Sequence, residues 1–151
     1  MGTDVEVAIV RACCKSCDNE ELYWMMSRSQ VEFVAKNLEL VHSSGDQIFA
    51  RYGDQVLPLV SLESHFGFVA DNIQKREKFI GVRFVNNDGK LQRLVITTGD
   101  SPHFFALNLS FSTMDSFSAP QNNTHIQGVY LLGKGKVAVV PDITNVSSGT
   151  L

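Results

Sequence analysis

Cys13-Cys14-Lys15-Ser16-Cys17 is the densest group of reactive side chains in the chain, and Cys14 and Cys17 form a Cys-x-x-Cys pair. That spacing can chelate zinc or run thiol exchange. A structural zinc needs four ligands, and no second cysteine pair or His-x3-His spacing completes the set. A redox pair is activated at a helix N-terminus, whereas this one sits between two β-type runs. The group reads as an ordinary hairpin connection, and neither a metal nor a cofactor is expected.

Ser101 closes Thr98-Gly99-Asp100-Ser101, a turn directly after the strand-like run LVIT, and resembles the Gly-Asp-Ser nucleophile turn of one esterase class. Acyl transfer there needs a histidine base oriented by an acid, on a longer α/β scaffold. The downstream histidines are His103, next but one to the serine, and His125 in a loop. A small Ser101-dependent hydrolase is therefore the alternative from another class, and a plain β-turn the reading preferred. Gly133-Lys134-Gly135-Lys136 offers lysines at a turn, but a phosphate loop opens onto a helix and here a strand follows. Glu20-Glu21 is an adjacent acid pair whose members would point to opposite faces of a strand. No acid/base pair emerges, no catalytic residue is expected, and His42 and His65, in polar surroundings, read as surface residues.

What must position these groups is a chain of 151 residues, enough for one compact domain or two small subdomains sharing a core. It is 44% hydrophobic and 19% charged, with no apolar run long enough to span a membrane. A net charge of −3 provides no footprint for nucleic acid. Three cysteines crowded together are no disulfide framework, and with no secretory leader visible after Met1 a cytosolic, reduced setting is expected.

Asp4–Ala12 alternates Val5, Val7 and Ile9 on one face, the period of a half-buried strand, and Leu22–Met26 suits an antiparallel return. Gln30–Lys36, QVEFVAK, places Val31 and Phe33 on one face and Glu32 and Val34 on the other, so both faces carry apolar side chains. Asn37–Asp46 reads as a connection ending in a turn. Gln47–Tyr52 and Gln55–Leu62 turn back on each other at Gly53-Asp54, and Glu63–Phe68 reads as a short cap, with Glu63, Ser64 and His65 solvated. Val69–Lys78 is a linker. Phe79–Val85 and Leu91–Thr98 flank Asp88-Gly89, the strongest hairpin signal present, and His103–Phe111 alternates again. Met114–Thr124 reads as a loop, Ile126–Leu132 and Lys136–Val140 as a last hairpin, and Pro141–Val146 as its cap. Short strands at regular spacing with no long helical period predict an all-β, barrel-like class. Val56–Leu62 also lies over Val137–Ile143 as a weak internal repeat, which two similar small barrels would explain.

QVEFVAK, GDQIFARYGDQVLPLVSLESHFGF and GVYLLGKGKVAVVPDI together resemble the CheW-like domain of bacterial chemotaxis coupling proteins and chemotaxis histidine kinases. The resemblance implies two five-stranded, SH3-like β-barrel subdomains with short capping helices, at about 20–68 and 79–146, with strand 4–12 contributing to the barrels. It implies a non-catalytic cytoplasmic adaptor at membrane-bound receptor arrays, without insertion into the membrane. One subdomain would pair with a CheA-type histidine kinase through an apolar patch at a barrel end, and a chemoreceptor cytoplasmic tip or related array protein would lie in a groove between subdomains. Val31, Glu32 and Val34 would line that groove, with Arg51, Tyr52 and Gly53 at the adjoining turn. The chain departs from the family pattern at Tyr52, where arginine is common, at Ser61 for aspartate, and at Pro141 for an aliphatic residue. A CheW-like regulatory domain cut from a larger kinase or scaffold is the second reading within the fold.

Overall fold

The computed structural model describes residues 5–43, 45, 47–68, 78–107, 117 and 119–148. Most of the expected linker, the end of the expected strand at Phe111 and the first part of the loop Met114–Thr124 lie outside those residues. The first half of the chain forms β1 (Val5–Lys15), β2 (Glu21–Ser27), a 3-10 turn (Arg28–Gln30), β3 (Val31–Ala35), β4 (Glu39–His42), β5 (Ile48–Tyr52), β6 (Gln55–Val60) and helix α1 (Leu62–His65). The second half forms β7 (Lys78–Val85), β8 (Leu91–Thr98), β9 (His103–Leu107), a 3-10 turn (Asn123–His125), β10 (Ile126–Gly133), β11 (Lys136–Pro141) and α2 (Ile143–Ser148). The all-β class is as expected. One strand is additional: Glu39–His42 lies in the stretch read as a connection, and pairs with β5 from Glu39 opposite Arg51 to His42 opposite Ile48.

Apart from β4, each half runs hairpin, single strand, hairpin, short helix. The halves then exchange strands. A five-stranded sheet is ordered β10-β11-β2-β1-β9 and a six-stranded sheet β3-β7-β8-β6-β5-β4, so each joins the leading hairpin of one half to the single strand and closing hairpin of the other. The join is a parallel pair in both, β11 with β2 and β6 with β8. The internal repeat falls on equivalent places: Val56–Leu62 and Val137–Ile143 each run through the inner strand of a closing hairpin into its helix.

Burial follows from the alternation of the strands. Ala8, Val10 and Ala12 of β1 join Trp24, Ile80, Val82, Leu94 and Ile96 in a large cluster between the sheets. Val7 and Ile9, on the other face of β1, join Met25 and Ala138 in a second cluster over which the five-stranded sheet curls. A third, Ala50, Leu57 and Val95 with Phe33 and Phe79 against it, fills the curl of the six-stranded sheet. β1 is thus buried on both faces rather than one, because its even positions are as apolar as its odd ones.

Candidate partner-docking surface

β3 and the β5–β6 turn, where all six expected partner-binding residues lie, come from separate parts of the first half. Tyr52 pairs with Gln55 across a two-residue turn, and Gly53 takes φ +60° at its first central position, where glycine is the residue without a steric penalty. The ring of Tyr52 stacks on Phe33 of β3, with centroids 3.7 Å apart and planes at 2°. Phe33 in turn occupies the space where Gly81 of β7 lacks a side chain. A glycine inside a strand marks a close approach, so Gly81 within FIGVRFV was a readable signal for this seat.

A second tie runs through Arg93 of β8. The pairing of β3 with β7 slips between Val31 opposite Val82 and Phe33 opposite Gly81, leaving Glu32 as the extra residue of a bulge. A bulge re-aims a side chain, and the Glu32 carboxylate lies 3.0 Å from Arg93 Nε. Arg93 also donates from Nη1 to Gln55 Oε1 at 3.2 Å. This compensates a liability of the sheet, because Arg83 and Arg93 stand directly opposite on β7 and β8 and like charges so placed repel. Arg83 donates from Nε to the Ser29 carbonyl. Glu32 is therefore tied to the sheet by its bulge, while Val34 keeps the outer face.

Val31 packs against the large cluster, whereas Val34, Tyr52 and Val56 are 44%, 43% and 47% exposed. Arg51 pairs with Glu39 at 3.6 Å, both well exposed, a contact that adds little stability. Because Leu59 of β6 lies beside Val95 of the parallel β8, the β5–β6 and β7–β8 turns share one end of the sheet. There Val85 and Leu91, paired across β7 and β8, add exposed apolar surface. A concavity of about 440 Å³ separates the outer strands of the other sheet and is lined by Ile9, Tyr23, Phe105, Tyr130 and Leu132 among others.

The cap corrects the expectation of solvated polar residues. The Ser61 hydroxyl accepts from the Ser64 amide and caps α1. Glu63 and His65, however, are 2% and 8% exposed. Glu63 Oε1 accepts from the Cys13 amide at 2.8 Å and from Trp24 Nε1 at 3.3 Å, while Oε2 accepts from the Ser61 hydroxyl at 3.2 Å. Trp24 is fully buried and stacks on Phe66. His65 Nε2 lies 2.9 Å from His125 Nδ1. A helix of four residues has too little length for a burial period to be read from it.

The other chemical candidates fall where secondary structure explains them. Cys13 and Cys14 lie inside β1, which runs on to Lys15 where the hairpin connection was expected, and Cys17 alone of the three falls in the turn. The Asp100 carboxylate accepts from the Ser101 amide at 2.7 Å. Gly133-Lys134-Gly135 turns β10 into β11 with Gly135 at φ +74°. Among the described residues no helix is long and apolar enough to cross a membrane, and no group of at least three His, Cys, Asp or Glu is placed to hold a metal.

No family model matches the chain, and no curated protein matches it in sequence. Among solved structures it resembles the scaffolding protein TtCheW from Thermoanaerobacter tengcongensis, with a TM-score of 0.68 and 12% identity over 97% of this chain and 88% of that one. The two curled mixed sheets with short helices are the CheW-like fold.

Proposed function

We propose that the chain is a non-catalytic adaptor of chemotaxis-type signalling that couples a chemoreceptor tip to a CheA-type histidine kinase. The observation that carries this reading is the convergence of β3 with the β5–β6 turn through the Phe33–Tyr52 stack, leaving Val34, Tyr52 and Val56 exposed on a braced surface. Exposed apolar side chains on rigid strands are what a docking surface needs, and their cost in solubility is otherwise unrewarded. The likeness to a scaffolding protein supports the same role. An adaptor must hold two partners at once. The apolar concavity between the outer strands of the five-stranded sheet suits the kinase side, and the β3 surface the receptor side.

Val34→Asp tests the assignment, since Val34 is exposed and its replacement leaves the packing of Val31 and Phe33 alone. Co-sedimentation with a receptor-tip fragment should weaken roughly tenfold or more, the loss of about 1.4 kcal/mol or more expected of an interface anchor. Circular dichroism and the melting transition should not change. Full capture by the variant would remove the β3 face from the docking surface.

A further inference from the structure

We propose that His65 and His125 form a pH-operated latch that fastens the α1 cap to the segment entering β10, closed at neutral pH and opened when both rings carry a proton. The inference stands apart from the docking surface and does not depend on it. The two residues lie 60 positions apart in sequence, His65 at the end of α1 and His125 at the end of the 3-10 turn before β10. Their ring nitrogens meet at 2.9 Å, so one ring donates and the other accepts. A neutral pair satisfies this, and so does a pair holding one extra proton. With two extra protons both facing nitrogens are donors, no acceptor remains between them, and the contact becomes repulsive.

Among the described residues, the carboxylates on the elements packed against the latch are held by other groups. On α1 the Glu63 carboxylate is taken by Cys13, Trp24 and Ser61. On β1, which packs against α1, Arg11 pairs with Glu21 at 3.7 Å, and Lys15 and the thiols of Cys13 and Cys14 make up the titratable groups at its end. Ahead of α2, the Asp142 carboxylate accepts from Asn145 Nδ2 at 2.6 Å, while the Asp142 amide donates to the His125 carbonyl. Residues 119–124, leading through the 3-10 turn to His125, contain no ionisable side chain. Phe66 meets the His65 ring edge-on at 4.9 Å. Burial and the neighbouring His125 both push the His65 pKa below its usual value, in keeping with a site that resists a second charge.

The same join carries three further contacts that protonation would strain. The Gln121 amide donates to the Phe66 carbonyl at 3.0 Å and Asn122 Nδ2 to the His65 carbonyl at 2.6 Å. Gly67, at φ +78°, packs so closely on Pro120 and Gln121 that a side chain there would collide with both. The direction of the pH effect follows from linkage. His65 holds a proton less tightly folded than unfolded, so the unfolded chain takes up protons first as pH falls. Stability is complete above the ordinary imidazole range, about 6.5, and is lost as pH falls through it toward the lower folded value.

The test compares wild type with His125→Gln, whose amide oxygen can accept from His65 but cannot gain a proton. Between pH 7.5 and 5.5 the wild-type Tm should fall by roughly 2–4 °C more than the variant's. Equal falls would overturn the latch. Proton NMR titration of wild type provides a second measurement that survives a variant that does not fold. His65 should titrate below the ordinary imidazole value, and titration of His65 at that value would overturn the proposal equally.

Discussion

Gly81→Ala is expected to destabilise the protein by about 1–3 kcal/mol and to disarm the docking surface at the same time. The added methyl would overlap the ring of Phe33, which is held on its other side by Tyr52 and cannot yield as the end of a flexible side chain could. The backbone at Gly81 has no left-handed conformation to protect, so the penalty is purely one of space. Denaturant unfolding gives the stability. A double-mutant cycle assigns it: Phe33→Leu should cost less in the Gly81→Ala background than in wild type, because the smaller side chain relieves the overlap. Additive costs would mean that the Phe33 seat is not what Gly81 provides.

Glu63→Ala should have an effect at least as large, about 2–5 kcal/mol, since it removes the acceptor of the buried Trp24 indole N–H, breaks the bond from the part-buried Cys13 amide and empties the space of the side chain. Glu63→Gln keeps a carbonyl oxygen in place and should cost only about 1 kcal/mol. Urea midpoints for the two variants, followed by the fluorescence of Trp24, separate them. An alanine variant as stable as the glutamine variant would show that the carboxylate does not hold α1 to β1 and β2.

These two residues also mark the boundary of what could be read without coordinates. Asp88-Gly89, Gly53-Asp54 and Gly133-Lys134-Gly135 announced their hairpins because tight turns impose a local backbone demand that few residues meet. The repeat of Val56–Leu62 in Val137–Ile143 was visible as well, and it reports a shared strand-to-helix passage. The exchange of hairpins between halves was not visible, since local alternation tells which face of a strand is apolar and nothing about which distant strand lies beside it. β4 was hidden by its length of 4 residues, too short for a period to show.

The candidate site was legible in part for a related reason. Val34 on an outer face and Gly53 at a turn follow from period and turn chemistry, and the structure agrees with both. Phe33, Gly81, Arg93 and Gln55, which brace the surface, act through contacts between strands far apart in sequence. The bulge at Glu32 is a slip of register against β7, and a periodic reading of one strand carries no information about its partner's register. Glu63 and His65 looked solvated because the groups that hold them, Trp24 and His125, lie 39 and 60 positions away.

Hydrogen–deuterium exchange of the protein with and without a saturating receptor-tip fragment tests the docking surface most directly. The β3 residues 31–35 and the turn residues 51–56 should gain protection together, because the Phe33–Tyr52 stack makes them one surface. Protection elsewhere with these two segments unchanged, or no protection anywhere at saturation, would contradict the assignment.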